Sequence, residues 1–277
     1  MSVFDRITKT NFSQMSGPKF RVYDYWYNIL VDALNTIEDT GTVPTTIMGG
    51  IPTTSLPSTY YKFFDDFDRS GAAGALTADW TVTETDAGNA EVLVDVAGGV
   101  LRLTNGGTDD DSASQVVLSN ISCQLTLGKK LWYETRVRST AADVTNLDLS
   151  IGLIAAAEDL SAVADNMPAN GIVFTKTDAG VGTIFLASSD NGTNKVSGAS
   201  LKTLVTNTWT RLGFYFDGAA TGSATVIPYI DGVAGVPLTS VTYATDPLLS
   251  PSFKVANGDA TTTQILEIDY VLVVVER

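Results

Sequence analysis

From about residue 60 onward, apolar and polar positions alternate with the two-residue period of β-strands. Leu131, Tyr133, Thr135 and Val137 alternate with Trp132, Glu134, Arg136 and Arg138, which predicts a half-buried strand. Leu147, Leu149, Ile151 and Leu153 form a second set, and Ile172 with Phe174 a third. In the last strand, Leu266, Ile268, Tyr270, Leu272 and Val274 are expected on one face. The opposite face changes from Glu267 and Asp269 to Val271, Val273 and Val275, so half of this strand is expected to be buried on both sides. Turn residues punctuate the pattern at Asn105-Gly, Asp178-Ala-Gly, Asn191-Gly, Asp217-Gly, Asp231-Gly and Asn257-Gly. Pro228 interrupts a good strand pattern, which predicts an edge position or a bulge. No long helical pattern intervenes, and such a chain folds into two packed antiparallel sheets.

The first 60 residues read differently. From Lys19 to Asp39 the period is helical: Phe20, Tyr23, Tyr27, Leu30, Leu34 and Ile37 recur at three- and four-residue spacing, with Val22, Trp26, Ile29 and Ala33 beside them. Pro18 suits the first helical position, and Gly41 follows the end. Such a helix either packs on its own domain or docks on a partner or on copies of itself. Its aromatic load (Phe20, Tyr23, Trp26, Tyr27, with Leu30 and Leu34) suits an interaction surface. Residues 40–60 then hold three prolines and three glycines and read as an extended linker. The expected organisation is an arm with one α-helix (1–39), a Thr/Pro/Gly linker (40–60) and a β-sandwich (61–277).

Composition narrows the partners. The chain of 277 residues is 44% hydrophobic, enough for a full core, and carries a net charge of -14. Residues 1–60 hold four basic and five acidic side chains, leaving 13 and 26 in the remainder. That excess of acid argues against nucleic acid and anionic membrane as partners. Cys123 is the only cysteine, so no intrachain disulfide forms, and with Ile121 and Leu125 beside it the thiol is expected to be buried and inert. The opening MSVFDRITKT has no apolar core of signal-peptide length, and no apolar run approaches a membrane span. Folding in a cytoplasm is therefore expected, rather than secretion through a signal peptide.

Three stretches carry a family resemblance. They are DDFDRSG at 65–71 with Asp79-Trp80, WTRLGFYFDG at 209–218 followed by YIDG at 229–232, and ILEIDYV at 265–271. Together they resemble the opening, middle and closing strands of concanavalin A-like (laminin G-like) lectin and glucanase sandwiches. The resemblance implies an all-β, two-sheet antiparallel jelly roll over about residues 62–277. Many members of that family bind or cut sugars.

The cutting chemistry is incomplete. There are no histidines, which removes nucleophile systems based on imidazole and histidine metal sites. Laminarinase-like members carry Glu, an apolar residue, Asp and then a second Glu on one strand, where the two carboxyls serve as nucleophile and acid. Here Glu267-Ile268-Asp269 matches the first half, but Tyr270, Val271 and Leu272 follow, so the two acids are expected to be solvated or hydrogen-bonded strand residues. Asp66, Asp68 and Ser70 before Gly71 resemble the start of a Ca2+ loop, but Thr77 stands where a bidentate Glu belongs. Asp109, Asp110 and Asp111 form a second acidic cluster. Surface turns account for both, with Ca2+ as the alternative. Aromatic candidates for glycan contact are Trp132, Trp209, Tyr215 and Tyr229, although strand aromatics usually serve sheet packing.

The expected function is therefore non-enzymatic. The sequence reads as a structural protein of a tailed-bacteriophage particle assembled in the host cytoplasm, most specifically a capsid decoration or head-fibre protein. Its N-terminal region would hold other virion proteins, and it would form a homo-oligomer such as a trimer. A tail-associated receptor or glycan binder is the alternative, and a carbohydrate-active enzyme comes third.

Overall fold

The structure is a computed structural model that describes residues 60–277 apart from 69–75, 77–78, 87, 95–98, 107–108, 111, 120–122, 141–143, 156–157, 162–166, 178–182, 197–199, 219–223, 244–247 and 260–261. The proposed helix with Phe20, Tyr23, Trp26, Tyr27, Leu30 and Leu34, and the linker up to residue 59, lie outside the described residues.

Among the described residues seventeen strands make two antiparallel sheets, as the alternation predicts. In chain order they are β1 (Tyr60–Asp65), β2 (Trp80–Glu84), β3 (Ala90–Val94), β4 (Val100–Asn105), β5 (Ala113–Leu118), β6 (Lys130–Ser139), β7 (Leu147–Ala155), β8 (Gly171–Lys176) and β9 (Thr183–Asp190). There follow β10 (Thr193–Val196), β11 (Lys202–Thr203), β12 (Thr210–Asp217), β13 (Ala224–Ile230), β14 (Val233–Ala234), β15 (Leu238–Val241), β16 (Leu249–Asn257) and β17 (Gln264–Glu276). β1 thus begins at Tyr60, one residue before the boundary expected from composition. The nine-stranded sheet runs β14-β13-β12-β6-β17-β4-β3, with β1 on β17 and β15 on β13. The eight-stranded sheet runs β10-β9-β8-β7-β16-β5-β2, with β11 on β9. Neighbours distant in sequence alternate between the sheets, giving the jelly-roll sandwich.

The two inner faces form one core. Leu101, Leu103, Leu131, Tyr133, Phe214, Leu266 and Ile268 come from one sheet, and Val116, Leu149, Ile151, Phe174, Leu186, Phe253 and Val255 from the other. Tyr133 stacks on Phe214 at 5.0 Å between ring centroids, and Phe174 meets Phe214 across the core at 6.1 Å. The hairpin signals Asn191-Gly192 and Asp231-Gly232 become two-residue turns with positive φ at both residues, matching strand twist. Pro228 sits next to short outer strands: its neighbour Tyr229 pairs with β14, while Val226 pairs with β15 beyond a register shift. Among the described residues, none lies in a helix long and apolar enough to cross a membrane.

Two strands depart from the sequence expectation. β6 is not half-buried: Trp132 and Glu134 on its outward face are 2% and 4% exposed. In β17 the alternation changes phase. Ile268 pairs with Val137 and Tyr270 with Arg136, so Asp269 is an extra, bulged residue. Leu266 and Ile268 face the core before it, and Val271 and Val273 after it. Tyr270, Leu272 and Val274 therefore point outward, not with Leu266 and Ile268 as the uninterrupted period predicts. Val271–Val274 are buried on both faces, as expected.

The opening DDF segment closes the sandwich between sheets. Asp65 accepts hydrogen bonds from the Phe67 backbone N–H at 2.9 Å and from Trp80 Nε1 at 3.0 Å. The turn places Phe67 at φ 53° and its carbonyl against Gly99, itself at φ 65°, where a Cβ would stand 2.4 Å from Phe67 O. Phe67, Trp80 and Phe253 then pack ring against ring at 5.5–6.4 Å. Because Asp65→Ala leaves a buried indole N–H without an acceptor, it is expected to lower the unfolding free energy by about 2 kcal/mol. Asp65→Asn should cost less, and chemical denaturation of both variants checks the order.

Candidate functional site

Among the residues singled out by sequence, Glu267, Asp269, Trp132, Tyr215 and Tyr229 lie on the outward face of the nine-stranded sheet, with Trp209 against its arginines. Strand register arranges them in rows. Arg102, Glu267 and Arg138 lie side by side on β4, β17 and β6, and Arg136 lies opposite Arg211 on β12. The next row carries Phe64, Leu272, Glu134, Gly213 and Tyr229, and the one beyond it Lys62, Val274, Trp132, Tyr215 and Ile227. One end of the face is therefore charged and the other aromatic.

The charged end is built on the β17 bulge. Glu267 is 1% exposed, and its Oε1 accepts from Arg102 Nε and Nη2 at 2.9 and 2.5 Å. Its Oε2 accepts from Arg138 Nε and Nη2 at 2.6 and 2.5 Å. Asp269 accepts from Arg136 Nη1 at 2.9 Å, and Thr135 Oγ1 donates to the Tyr270 carbonyl at 2.6 Å. The Tyr270 hydroxyl donates to Glu134 Oε1 at 2.6 Å. Burial pushes the Glu134 carboxyl above its usual range, while that hydrogen bond and the charge of Arg211 pull it back. Glu267 and Asp269 are thus hydrogen-bonded strand residues whose acceptors are engaged by guanidinium groups. Trp209, immediately before β12, is half-buried, with Arg138 and Arg136 Cζ at 4.5 and 4.9 Å from its ring centroid. Nearby, burial raises the Asp231 carboxyl, but hydrogen bonds from Lys202 and the Arg211 backbone, with their charges, outweigh it and hold the group below its ordinary range.

At the aromatic end two of the glycan-contact candidates serve sheet packing, the usual role of strand aromatics. Trp132 and Tyr215 are 2% and 8% exposed and pack with Leu272 and Val274 against Tyr60, Phe64, Ile227 and Tyr229. Trp132 meets Tyr229 edge-on at 4.9 Å. Neither Trp132 nor Tyr215 presents a ring face for a sugar to stack on, because neighbouring side chains cover both. Burial, then the nearby Asp217 and other groups, pushes the Tyr215 phenol to about 12, so it stays neutral. Tyr229 and Trp209 remain half-buried. Trp132 stands four residues along β6 from Arg136 and six from Arg138, roughly 13 and 20 Å from the two arginines on Trp209, so one monosaccharide could not use both ends.

The other candidates separate from this face. Asp66 and Asp68 are hydrogen-bonded to each other in the turn after β1, and burial with the charge of Asp68 pushes Asp66 up to about 6. Ser70, Gly71 and Thr77 lie outside the described residues, as does Asp111, while Asp109 and Asp110 are exposed in a turn. Among the described residues no three acidic, histidine or cysteine side chains gather as a metal site. Cys123 is 7% exposed, and burial pushes its thiol to about 12.

A second face was not legible beforehand. On the outside of the eight-stranded sheet, Gln115, Lys254, Ser150 and Thr175 stand side by side in register, all buried. Gln115 accepts from the Leu160 N–H at 2.7 Å and donates to Glu158 O at 3.3 Å. Leu160 and Met167 pack on Val117, Ile154, Val173 and Ala187. The alternation of Ser250, Ser252 and Lys254 with Leu249, Phe253 and Val255 gives this face a polar signature. The chain after β7 nonetheless covers it.

No family model matches the chain, and no curated protein matches its sequence. Solved structures share its fold. An endo-1,3-beta-glucanase from Streptomyces sioyaensis has a TM-score of 0.55 at 16% identity, covering 81% of this chain and 99% of its own. The carbohydrate recognition domain of Emp47p gives 0.54 at 14%, covering 79% and 98%. A protein of unknown function from Shewanella oneidensis MR-1 gives 0.53 at 15%, covering 81% and 90%. The fold is that of the concanavalin A-like lectin and glucanase sandwiches.

Substitutions separate the two buried carboxyls. Glu267→Gln leaves two guanidinium groups facing a neutral amide and is expected to cost about 3 kcal/mol in chemical denaturation. Glu134→Gln keeps an acceptor for Tyr270 and removes a desolvated charge, so stability at neutral pH should be unchanged or higher. Asp66 and Glu134 hold protons more tightly folded than unfolded, so each contributes stability at low pH that is lost as pH rises. For Asp66 the loss runs from about 4 to about 6. The fall in melting temperature over that window should be smaller in Asp68→Asn than in the parent, and Glu134→Gln should remove the part of the fall with rising pH that Glu134 contributes.

Proposed function

We propose that this chain is a non-enzymatic structural protein of a tailed-bacteriophage particle, assembled in the host cytoplasm. Within that class we assign it as a capsid decoration or head-fibre protein. The N-terminal region attaches to other virion proteins, the linker spaces it, and the sandwich is displayed as part of a homo-oligomer such as a trimer. The observation that carries the non-enzymatic reading is Glu267. The first acid of the glucanase-like Glu-Ile-Asp run lies under two arginines that take both its oxygens. A nucleophile or proton donor has to reach the reacting bond, and this carboxylate is 1% exposed. The virion assignment draws on the aromatic N-terminal segment, the proline-rich spacer and the acidic sandwich that follows.

A second reading is a tail-associated receptor that binds glycan. It is supported by half-buried Trp209 among arginines and by a fold shared with a carbohydrate recognition domain and an endo-1,3-beta-glucanase. Mass spectrometry and image reconstruction of purified particles distinguish the two readings. The decoration reading predicts symmetric density on the capsid that disappears when residues 1–39 are deleted. Density only at the tail would favour the receptor, and absence from particles would refute both. No β-glucan turnover is expected from the purified protein.

A further inference from the structure

Carboxylates and guanidinium groups are stacked in depth at the charged end of the nine-stranded sheet. Glu267 is 1% exposed, whereas the side chains of the arginines that hold it, Arg102 and Arg138, are 36% and 29% exposed. Arg136 is 43% exposed over an Asp269 that is 25% exposed. At these three arginines the anion lies beneath and the cation above, whereas in the Lys202–Asp231 pair the carboxylate is the more exposed partner, at 48% against 24%. With Arg211 and Lys202, five cations share this end with the carboxyls of Glu134, Glu267, Asp269 and Asp231. In a chain of net charge -14, this makes a locally positive corner.

The donors are not exhausted. Arg102 and Arg138 each use Nε and Nη2 on Glu267, and Arg136 uses Nη1 on Asp269. Nη1 of the first two, with Nε and Nη2 of Arg136, has no acceptor among the described residues. The buried carboxylates fix the guanidinium planes, which limits the side-chain entropy lost when a ligand binds. Arg138 and Arg136 lie over the half-buried Trp209 ring at 4.5 and 4.9 Å from its centroid, so the indole holds the two guanidinium groups in place. Guanidinium groups oriented on an indole, with N–H donors to spare, match a sugar bearing an oxyanion: the oxyanion takes paired N–H donors, and the sugar ring lies against the arginine layer that the indole supports.

We infer that the corner formed by Trp209, Arg136, Arg138 and Arg102 binds an acidic saccharide through its carboxylate or sulfate. This rests on the glycan-binding reading and adds the charge class and the place. The aromatic cluster around Trp132 takes no part, being buried and roughly 13 Å along β6 from Arg136.

Calorimetric titration of the full chain tests this with three probes: oligogalacturonate for a carboxylate, a sulfated galactan oligosaccharide for a sulfate, and laminarin oligosaccharide as the neutral control. At least one acidic probe should bind about tenfold more tightly than the neutral one and weaken as salt rises. Trp209→Ala and Arg136→Gln should each reduce that affinity about tenfold. Arg136→Lys keeps the charge but loses the fork, and should recover only part of it. Circular dichroism and melting temperature establish that each variant is folded. Neutral oligosaccharide bound as tightly as the acidic ones would overturn the charge class while leaving glycan binding in place. Acidic binding unchanged in both folded variants would overturn the location. No binding of any probe would overturn the inference together with the glycan reading.

Discussion

The bulge at Asp269 sets the geometry of the nine-stranded sheet. β17 is its longest strand and pairs with β6 on one side and with β1 and β4 on the other. A single extra residue lets Leu266 and Ile268 face the core before it and Val271 and Val273 after it. The same residue turns Tyr270 outward toward Glu134 and places Asp269 beneath Arg136. Thr135 Oγ1 donates to the Tyr270 carbonyl and ties the irregular segment to β6. Without the insertion, either the core valines or the core Leu-Ile pair would be turned to the outside.

That geometry explains why an acidic run reminiscent of glucanases behaves as framework. Glu267 is not aimed into an open cleft but lies between two guanidinium groups on flanking strands. Burying a carboxylate is costly, and paired charge-assisted hydrogen bonds offset that cost. The result is a rigid outer layer of arginines around Trp209. The opposite sheet shows a different solution, in which Gln115 and the chain at Leu160 close a polar face.

The sandwich, its antiparallel pairing and two of its hairpin turns were legible in the sequence because alternation and turn chemistry act over a few residues. Asn191-Gly192 and Asp231-Gly232 need only their own positive φ. The bulge was not legible: ILEIDYVLVVV reads as unbroken alternation, and the phase change depends on Thr135, Arg136 and Glu134, more than a hundred residues away in sequence. Sheet packing was the usual reading for strand aromatics such as Trp132, but the cover over the outward face at Trp132 and Tyr215 was not legible, for a related reason. Alternation assigns faces, but it does not say whether a face is covered. Lys254 likewise reads as a solvent-facing residue until the chain at Leu160 and Met167 is placed over its sheet. The arginines around Glu267 belong to three-strand rows that no local motif announces.

The most direct test of this account is the thermal unfolding of the full chain with Asp269 deleted, beside Asp269→Ala. Deletion removes the phase change, so the account predicts a loss of cooperative unfolding or a large drop in melting temperature. The substitution removes only a partly exposed ion pair and should leave melting within a few degrees of the parent. A deletion variant that melts cooperatively at the parental temperature would contradict the claim that this residue sets the two faces of β17.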